Sequence, residues 1–238
     1  DRVADEHGPL LNSNHGSFLR IPAAHFAGQL PNYHFNRMAY RVPGMLLLPR
    51  GPTQLPEWEA VIDLCAELGI GWVIWDGAGE PAHPRIVPAG EEHGFRLYRI
   101  TGARPVVYPL ETVRSVPRPA EPAGAASLIY SLPALGSFCY GCPTDARWSA
   151  PSAVGLRVDW RAGNVAAEAD SPRGTLLVLN ETRSVGWRAE VDGAATPIFP
   201  VNEAFQGVVV PAGRHVVRWR FASPGFFAGF LGTAAGLA

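Results

Sequence analysis

From Val154 to Phe221 the sequence repeats one arrangement: a short run with apolar side chains at alternating positions, then a pair of turn residues. A period of two cannot wind into a helix with one apolar face, so this half of the chain is confined to strands. Val154–Trp160 alternates, Arg161-Ala162-Gly163-Asn164 turns the chain, and Val165–Ala169 returns. Thr175–Leu179 is apolar throughout. Trp187–Val191 alternates up to Asp192-Gly193, a hairpin pair because both residues tolerate positive φ, and Pro197–Val201 is expected to return from it. Gly207–Val210, the turn Pro211-Ala212-Gly213 and His215–Phe221 read as a second hairpin. In that last strand Val217, Trp219 and Phe221 share one face, with Val216, Arg218 and Arg220 on the other. Seven strands at this spacing predict an antiparallel β-sandwich over 153–223.

The first half follows a different period. Residues 1–50 are rich in turn signals, with Asn12, Asn14, Asn32 and Asn36 among Gly and Pro, and Met45–Leu48 reads as a short buried strand. A helix is expected over 56–69. Pro56 suits its first position, and Glu57 and Glu59 complement the positive end of the dipole. Val61, Ile62, Cys65 and Leu68 fall on one face, and Gly69 caps the end. Ile70–Trp75 reads as a strand buried on both sides, Phe95–Ile100 as a half-buried strand, and Pro105–Tyr108 as another. Three prolines between Val116 and Pro122 mark a linker. The expected class is therefore α+β or mixed. An α/β segment spans 1–118, a linker and irregular region 119–152, and the sandwich 153–223; the start of a transmembrane helix is expected at 224–238.

That last expectation rests on Phe226–Ala238, 13 residues without a charge. A membrane span needs about 20 such residues, so the run reads as the first part of one. An apolar helix docked on the core is the competing reading. The chain opens Asp1-Arg2-Val3 with no charged n-region and apolar h-region behind it, as expected for a processed protein or an internal piece.

Charge and motifs exclude several chemistries. A formal net charge of -1 gives no electrostatic reason to expect nucleic acid. All 20 basic residues are Arg, so Schiff-base chemistry and a P-loop lysine are excluded. There is no Gly-x-Ser-x-Gly elbow, and His7, His15, His25, His34, His83, His93 and His215 form no HxH, HxxxH or HExxH. No catalytic residue, metal site or cofactor is assigned. Cys139-Tyr140-Gly141-Cys142 is a CxxC compatible with a disulfide, free thiols or half a zinc site; Cys65 reads as core. Asp76, at the end of a buried strand, stands where α/β sites often lie, but Asp76-Gly77 also simply turns the chain. Glu91-Glu92 reads as a solvated loop pair.

The C-terminal half resembles a family. Leu176-Leu177-Val178-Leu179-Asn180-Glu181, then Gly186-Trp187-Arg188-Ala189-Glu190-Val191-Asp192-Gly193, then Val201-Asn202-Glu203-Ala204-Phe205 and Val208-Val209-Val210-Pro211-Ala212-Gly213-Arg214-His215 are similar to the signature of YfhO-type bacterial membrane proteins. There, an apolar strand, a GW-x-A-x-VDG hairpin, an asparagine loop and a V-x-V-P-x-G-x-H hairpin precede a final membrane helix. The resemblance is specific over about 175–225 and looser over Leu68–Trp75 and Phe95–Pro109. It implies a bacterial cell-membrane protein related to the GT-C glycosyltransferases, which use polyprenyl-phosphate sugars, with this region on the extracytoplasmic side. In that class the catalytic carboxylate lies in an early loop, so this region would be an accessory domain in cell-envelope glycan transfer or recognition. The implied partners are the membrane, through the C-terminal helix, and a cell-envelope glycan or lipid-linked sugar.

Tryptophan can stack on the apolar face of a pyranose while neighbouring Asp or Asn takes its hydroxyls, as other sites pair apolar walls with a few polar groups. Among Trp148, Trp160, Trp187 and Trp219, the candidate glycan site is Trp187 with Asp192 and Asn202. The competing reading puts Trp187 and Trp219 in the sandwich core. Two rivals stand beside the glycan reading: a structural or interaction module without sugar affinity, and a secreted α/β hydrolase with a β-sandwich appendage.

Overall fold

The computed structural model describes residues 2–5, 62–75, 80, 82–92, 95–120, 125, 127–129, 131–143, 148–223 and 225. Those residues are mostly β, in three sheets with largely antiparallel pairing. The elements are β1 (Arg2–Asp5), helix α1 (62–67), β2 (Ile70–Trp75), β3 (Ile86–Glu92), β4 (Phe95–Ile100), β5 (Val107–Leu110), β6 (Arg114–Ser115), helix α2 (Leu132–Leu135) and β7 (Phe138–Cys139). They continue with β8 (Gly155–Arg161), β9 (Asn164–Ser171), β10 (Thr175–Leu179), β11 (Trp187–Val191), β12 (Ala194–Thr196), β13 (Phe199–Val201), β14 (Phe205–Val210) and β15 (Gly213–Phe221).

A four-stranded sheet runs β1-β2-β4-β3, a six-stranded sheet β5-β10-β14-β13-β7-β6, and a five-stranded sheet β12-β11-β15-β9-β8. The six-stranded sheet holds the other two layers together. One of its faces gives Val107, Leu177, Leu179, Val208 and Val210 to an apolar layer shared with Val165, Ala167, Ala189, Val217 and Trp219 of the five-stranded sheet. Its other face gives Tyr108, Leu110, Leu176, Val178 and Phe205 to a second layer, shared with α1, β2, β4 and residues near α2. Alternate side chains of β10 therefore enter different cores. This is why Thr175–Leu179 carries no polar alternation and is buried along its length.

Two expected hairpins are corrected. The turn at Asp192-Gly193 forms, with φ of 52° and 83°, but the strand that returns beside β11 is the short β12. The chain then crosses at Pro197-Ile198 to the other sheet, where β13 pairs with β14 and β7. Pro197 has no N–H to give to a ladder, and Ile198 packs into the layer between the sheets, so the chain leaves one sheet for the other there. Likewise β14 and β15 are not partners. β14 pairs with β10 and β13, while β15 pairs with β9 and β11, so Pro211-Ala212 is a corner between sheets.

The sequence boundaries at 118 and 153 do not follow the sheets. β5 pairs with β10 across both, and the stretch read as linker and irregular region contains α2, β7 and the buried Trp148. In the first half, α1 ends at Gly69 (φ 73°), which packs against the Asn180 side chain. Asn180 Nδ2 donates to the Leu68 carbonyl at 3.2 Å, tying the helix end to the end of β10. Positions 56–61 of the expected helix and Met45–Leu48 lie outside the described residues. So does the apolar run 226–238. Among the described residues no helix is long and apolar enough to cross a membrane.

Leu177 is fully buried between the two larger sheets. Leu177→Ala should lower unfolding free energy by about 2–5 kcal/mol, the usual range for a core Leu truncation, read as a lower urea midpoint at unchanged slope.

Candidate functional site

Pairing of β13 with β14 forces a tight turn at Asn202-Glu203, and both residues adopt left-handed backbone, φ 48° and 68°. Neither is glycine, so the conformation must be held by what surrounds it. Asn202 is buried. Its Oδ1 accepts from the Phe138 N–H at 3.0 Å, its Nδ2 donates to Ser137 Oγ at 3.2 Å, and its own N–H donates to the Phe138 carbonyl at 2.9 Å. These bonds fasten β7 to the turn.

Glu203 is 0% exposed, the most completely buried charge among the described residues. Tyr140 donates its hydroxyl to Glu203 Oε2 at 2.6 Å, and Arg118 Nη2 stands 3.7 Å from Oε1. The Arg118 guanidinium also lies over the Tyr140 ring, 5.8 Å from its centroid. Burial draws Arg183 below its ordinary value; Arg118 adds to this, and the negative charge of Glu203 opposes it. The Tyr140 hydroxyl and the guanidinium groups of Arg118 and Arg183 thus surround this buried carboxyl group. Its bond to Tyr140 ties the turn to the residue that follows β7. Beside it Cys139 and Cys142 form a disulfide, with Cα atoms 6.0 Å apart. Sequence reasoning missed Glu203; the available signal was a lone acid inside the apolar run Val201–Val210.

Asp192, on the hairpin turn of β11 and β12, and His215, on β15, form a second polar group. Asp192 Oδ1 accepts from the Val216 N–H at 2.8 Å, and Oδ2 lies 2.6 Å from His215 Nδ1. His215 Nε2 is 3.1 Å from the Ala212 carbonyl. Both ring nitrogens face acceptors, so both bonds form only when the imidazole is doubly protonated. The Asp192 bond, then the Ala212 carbonyl, raise the His215 pKa; the Val216 N–H, then His215, lower that of Asp192. With both nitrogens engaged, the ring has none left to act as a general base.

The three residues of the expected glycan site are not brought together. Trp187 begins β11 and Asp192 follows its end, about 16 Å away at strand rise. Asn202 is enclosed in the other sheet, its amide spent on Phe138 and Ser137. Trp187 is half-buried, its ring 5.5 Å from that of Phe221, and Trp219 is fully buried in the core between the sheets. Trp148 is buried too, and Trp160 packs against the same core as Trp187. Cys65 is buried on α1, and burial pushes its thiol up to about 12, so it is an inert core residue. No group of His, Cys, Asp or Glu able to hold a metal ion occurs among the described residues. Asp76, His7, His15, His25, His34 and His93 lie outside them. Glu91 is exposed. No family model matches the chain, and neither the curated proteins nor the solved structures give a match.

Two outcomes follow. The raised pKa of His215 gives stability that is complete below about pH 6.5 and is lost as pH rises through the folded value; the lowered pKa of Asp192 gives stability lost only as pH falls below about 4. The urea midpoint should therefore fall between pH 5.5 and 8.5, and His215→Gln should flatten that slope. Glu203→Gln keeps an acceptor for Tyr140 but removes the negative charge beside Arg118 and Arg183, and should cost about 1–3 kcal/mol in urea unfolding, more than Tyr140→Phe.

Proposed function

We propose that this chain is a non-catalytic extracytoplasmic module of a YfhO-type membrane protein, an antiparallel β-sandwich with an α/β flank, joined to the membrane by its C-terminal run and assisting cell-envelope glycan transfer or recognition. One observation carries the tether. β15 lies between β11 and β9 in the five-stranded sheet, and the Phe221 and Ala222 N–H groups donate to the Gly163 and Gly186 carbonyls at 2.8 and 2.9 Å. The chain is thus held on both sides until a few residues before the apolar run begins at Phe226. A body held this way moves with whatever that run enters.

The polar groups support an accessory role. The buried ones, Asn180, Asn202 and Glu203, serve internal bonds, and the His215–Asp192 pair uses both ring nitrogens. The disulfide accords with an oxidising compartment. The dispersal of Trp187, Asp192 and Asn202 favours, as a second reading, a structural or interaction module without sugar affinity.

Replacing Phe226, Phe227, Phe230 and Leu231 by Asp should move the full chain from the membrane to the soluble fraction of bacterial cells, with Cys139–Cys142 still oxidised. Membrane association that survives those changes contradicts the tether. Titrating the chain with envelope glycans and polyprenyl-phosphate sugar analogues separates the two readings. Saturable binding abolished by Trp187→Ala supports recognition, and no binding across the panel leaves the structural module.

A further inference from the structure

The register of the five-stranded sheet places Arg188 opposite Arg220, Arg220 opposite Asn164, and Asn164 opposite Arg161. One row across the outer face therefore carries three arginines, all exposed, and no acid. Like charges directly opposite each other destabilise a strand pair. Arg161 lies 3.7 Å from Asp159 of the next row, but Arg188 and Arg220 make no ion pair with any described residue. The neighbouring rows are mixed: Glu190 opposes Arg218, and Arg157 opposes Glu168. The uncompensated row is the one at the end where the chain leaves β15.

The opposite face of the same end is apolar. Trp187 pairs with Phe221, their rings tilted together, and Gly186 is packed so closely against the Phe221 ring that a side chain there would collide with it. Phe221 is 42% exposed and Val185 88% exposed, the most exposed large apolar residue among those described. This end of the sheet thus presents Val185, Trp187 and Phe221 beside a row of arginines, and at most about 18 Å of chain separates Phe221 from the apolar run at Phe226.

We propose that this end of the five-stranded sheet docks on an anionic phospholipid bilayer surface, with Val185, Trp187 and Phe221 entering the headgroup boundary and Arg161, Arg188 and Arg220 engaging lipid phosphates. Aromatic rings favour that boundary, and arginine offers phosphate a bidentate fork. The proposal rests on the tethered reading, because the short connection brings the sheet edge to the surface that the run enters. Docking would set the orientation of the module over the membrane.

The test is flotation of the full chain with vesicles of phosphatidylcholine alone or mixed with phosphatidylglycerol, at low and physiological salt. The apolar run drives binding to both compositions. The arginine row adds an anionic preference on the order of tenfold to a hundredfold at low salt. Arg161→Gln, Arg188→Gln and Arg220→Gln together should abolish that preference, and Val185→Asp should weaken binding to the mixed vesicles. Arg99→Gln, Arg157→Gln and Arg214→Gln, which remove the same charge from other exposed positions, should leave most of the preference intact. Equal losses in the two triple variants, or no preference at all, overturn the docking surface while the tether stands. Binding to neither composition overturns both. Binding to anionic vesicles alone, lost in the row variant, keeps the docking surface and removes the tether.

Discussion

Burial of β10 on both faces is the constraint from which the rest of the structure follows. Leu177 and Leu179 can be covered only if a second sheet lies over one side, and Leu176 and Val178 only if the first half of the chain covers the other. Within its sheet β10 also has β5 on one side and β14 on the other. Recruiting β5 brings residues 107–110, with β6 at 114–115, into the same sheet as β10, β13 and β14. Residues from both halves of the sequence thereby meet in the layers on either side of β10. Asn180, at the end of the same strand, adds a polar tie to the last turn of α1.

The polar interior fixes what the apolar layers leave free. Hydrophobic layers set which faces meet, but strands of two and three residues have few side chains with which to fix a register. β13 and β7 share only the Val201–Cys139 pair, so their register needs another source. Asn202 supplies it through three bonds to Ser137 and Phe138, and Glu203 through Tyr140 and Arg118. Two consecutive left-handed residues are the conformational cost of aiming both side chains inward.

Much of the strand content was legible because alternation is a local signal. Thr175–Leu179 and Trp187–Val191 lie where the pattern placed them, and Gly69 ends its helix. What period two cannot specify is the partner of a strand. Pro197–Val201 and Gly207–Val210 read as returning arms of hairpins, yet the chain changes sheets at Pro197-Ile198 and at Pro211-Ala212. Both changes depend on which layer a side chain enters, and that is decided by residues far away in sequence. The prolines between Val116 and Pro122 read as a linker for a related reason: the parallel pairing of Arg114–Ser115 with β7 leaves no periodic trace. The separation of the three expected site residues has the same cause. Trp187, Asp192 and Asn202 are neighbours in sequence on a chain that changes sheets between the second and third of them. The Glu203 cluster joins residues 118, 140, 183 and 203, which no local window contains.

On the proposed reading the last strand joins the body to a membrane, and the sheet end at Phe221 faces the bilayer. Amide hydrogen exchange of the full chain, free and bound to vesicles containing phosphatidylglycerol, tests that orientation directly. Docking should add protection at residues 161–163, 185–188 and 220–222, with the turns at 192–193 and 211–213 at the far end of the sheet unchanged. Protection at those far turns, or none in the described residues while the chain is bound, would contradict it.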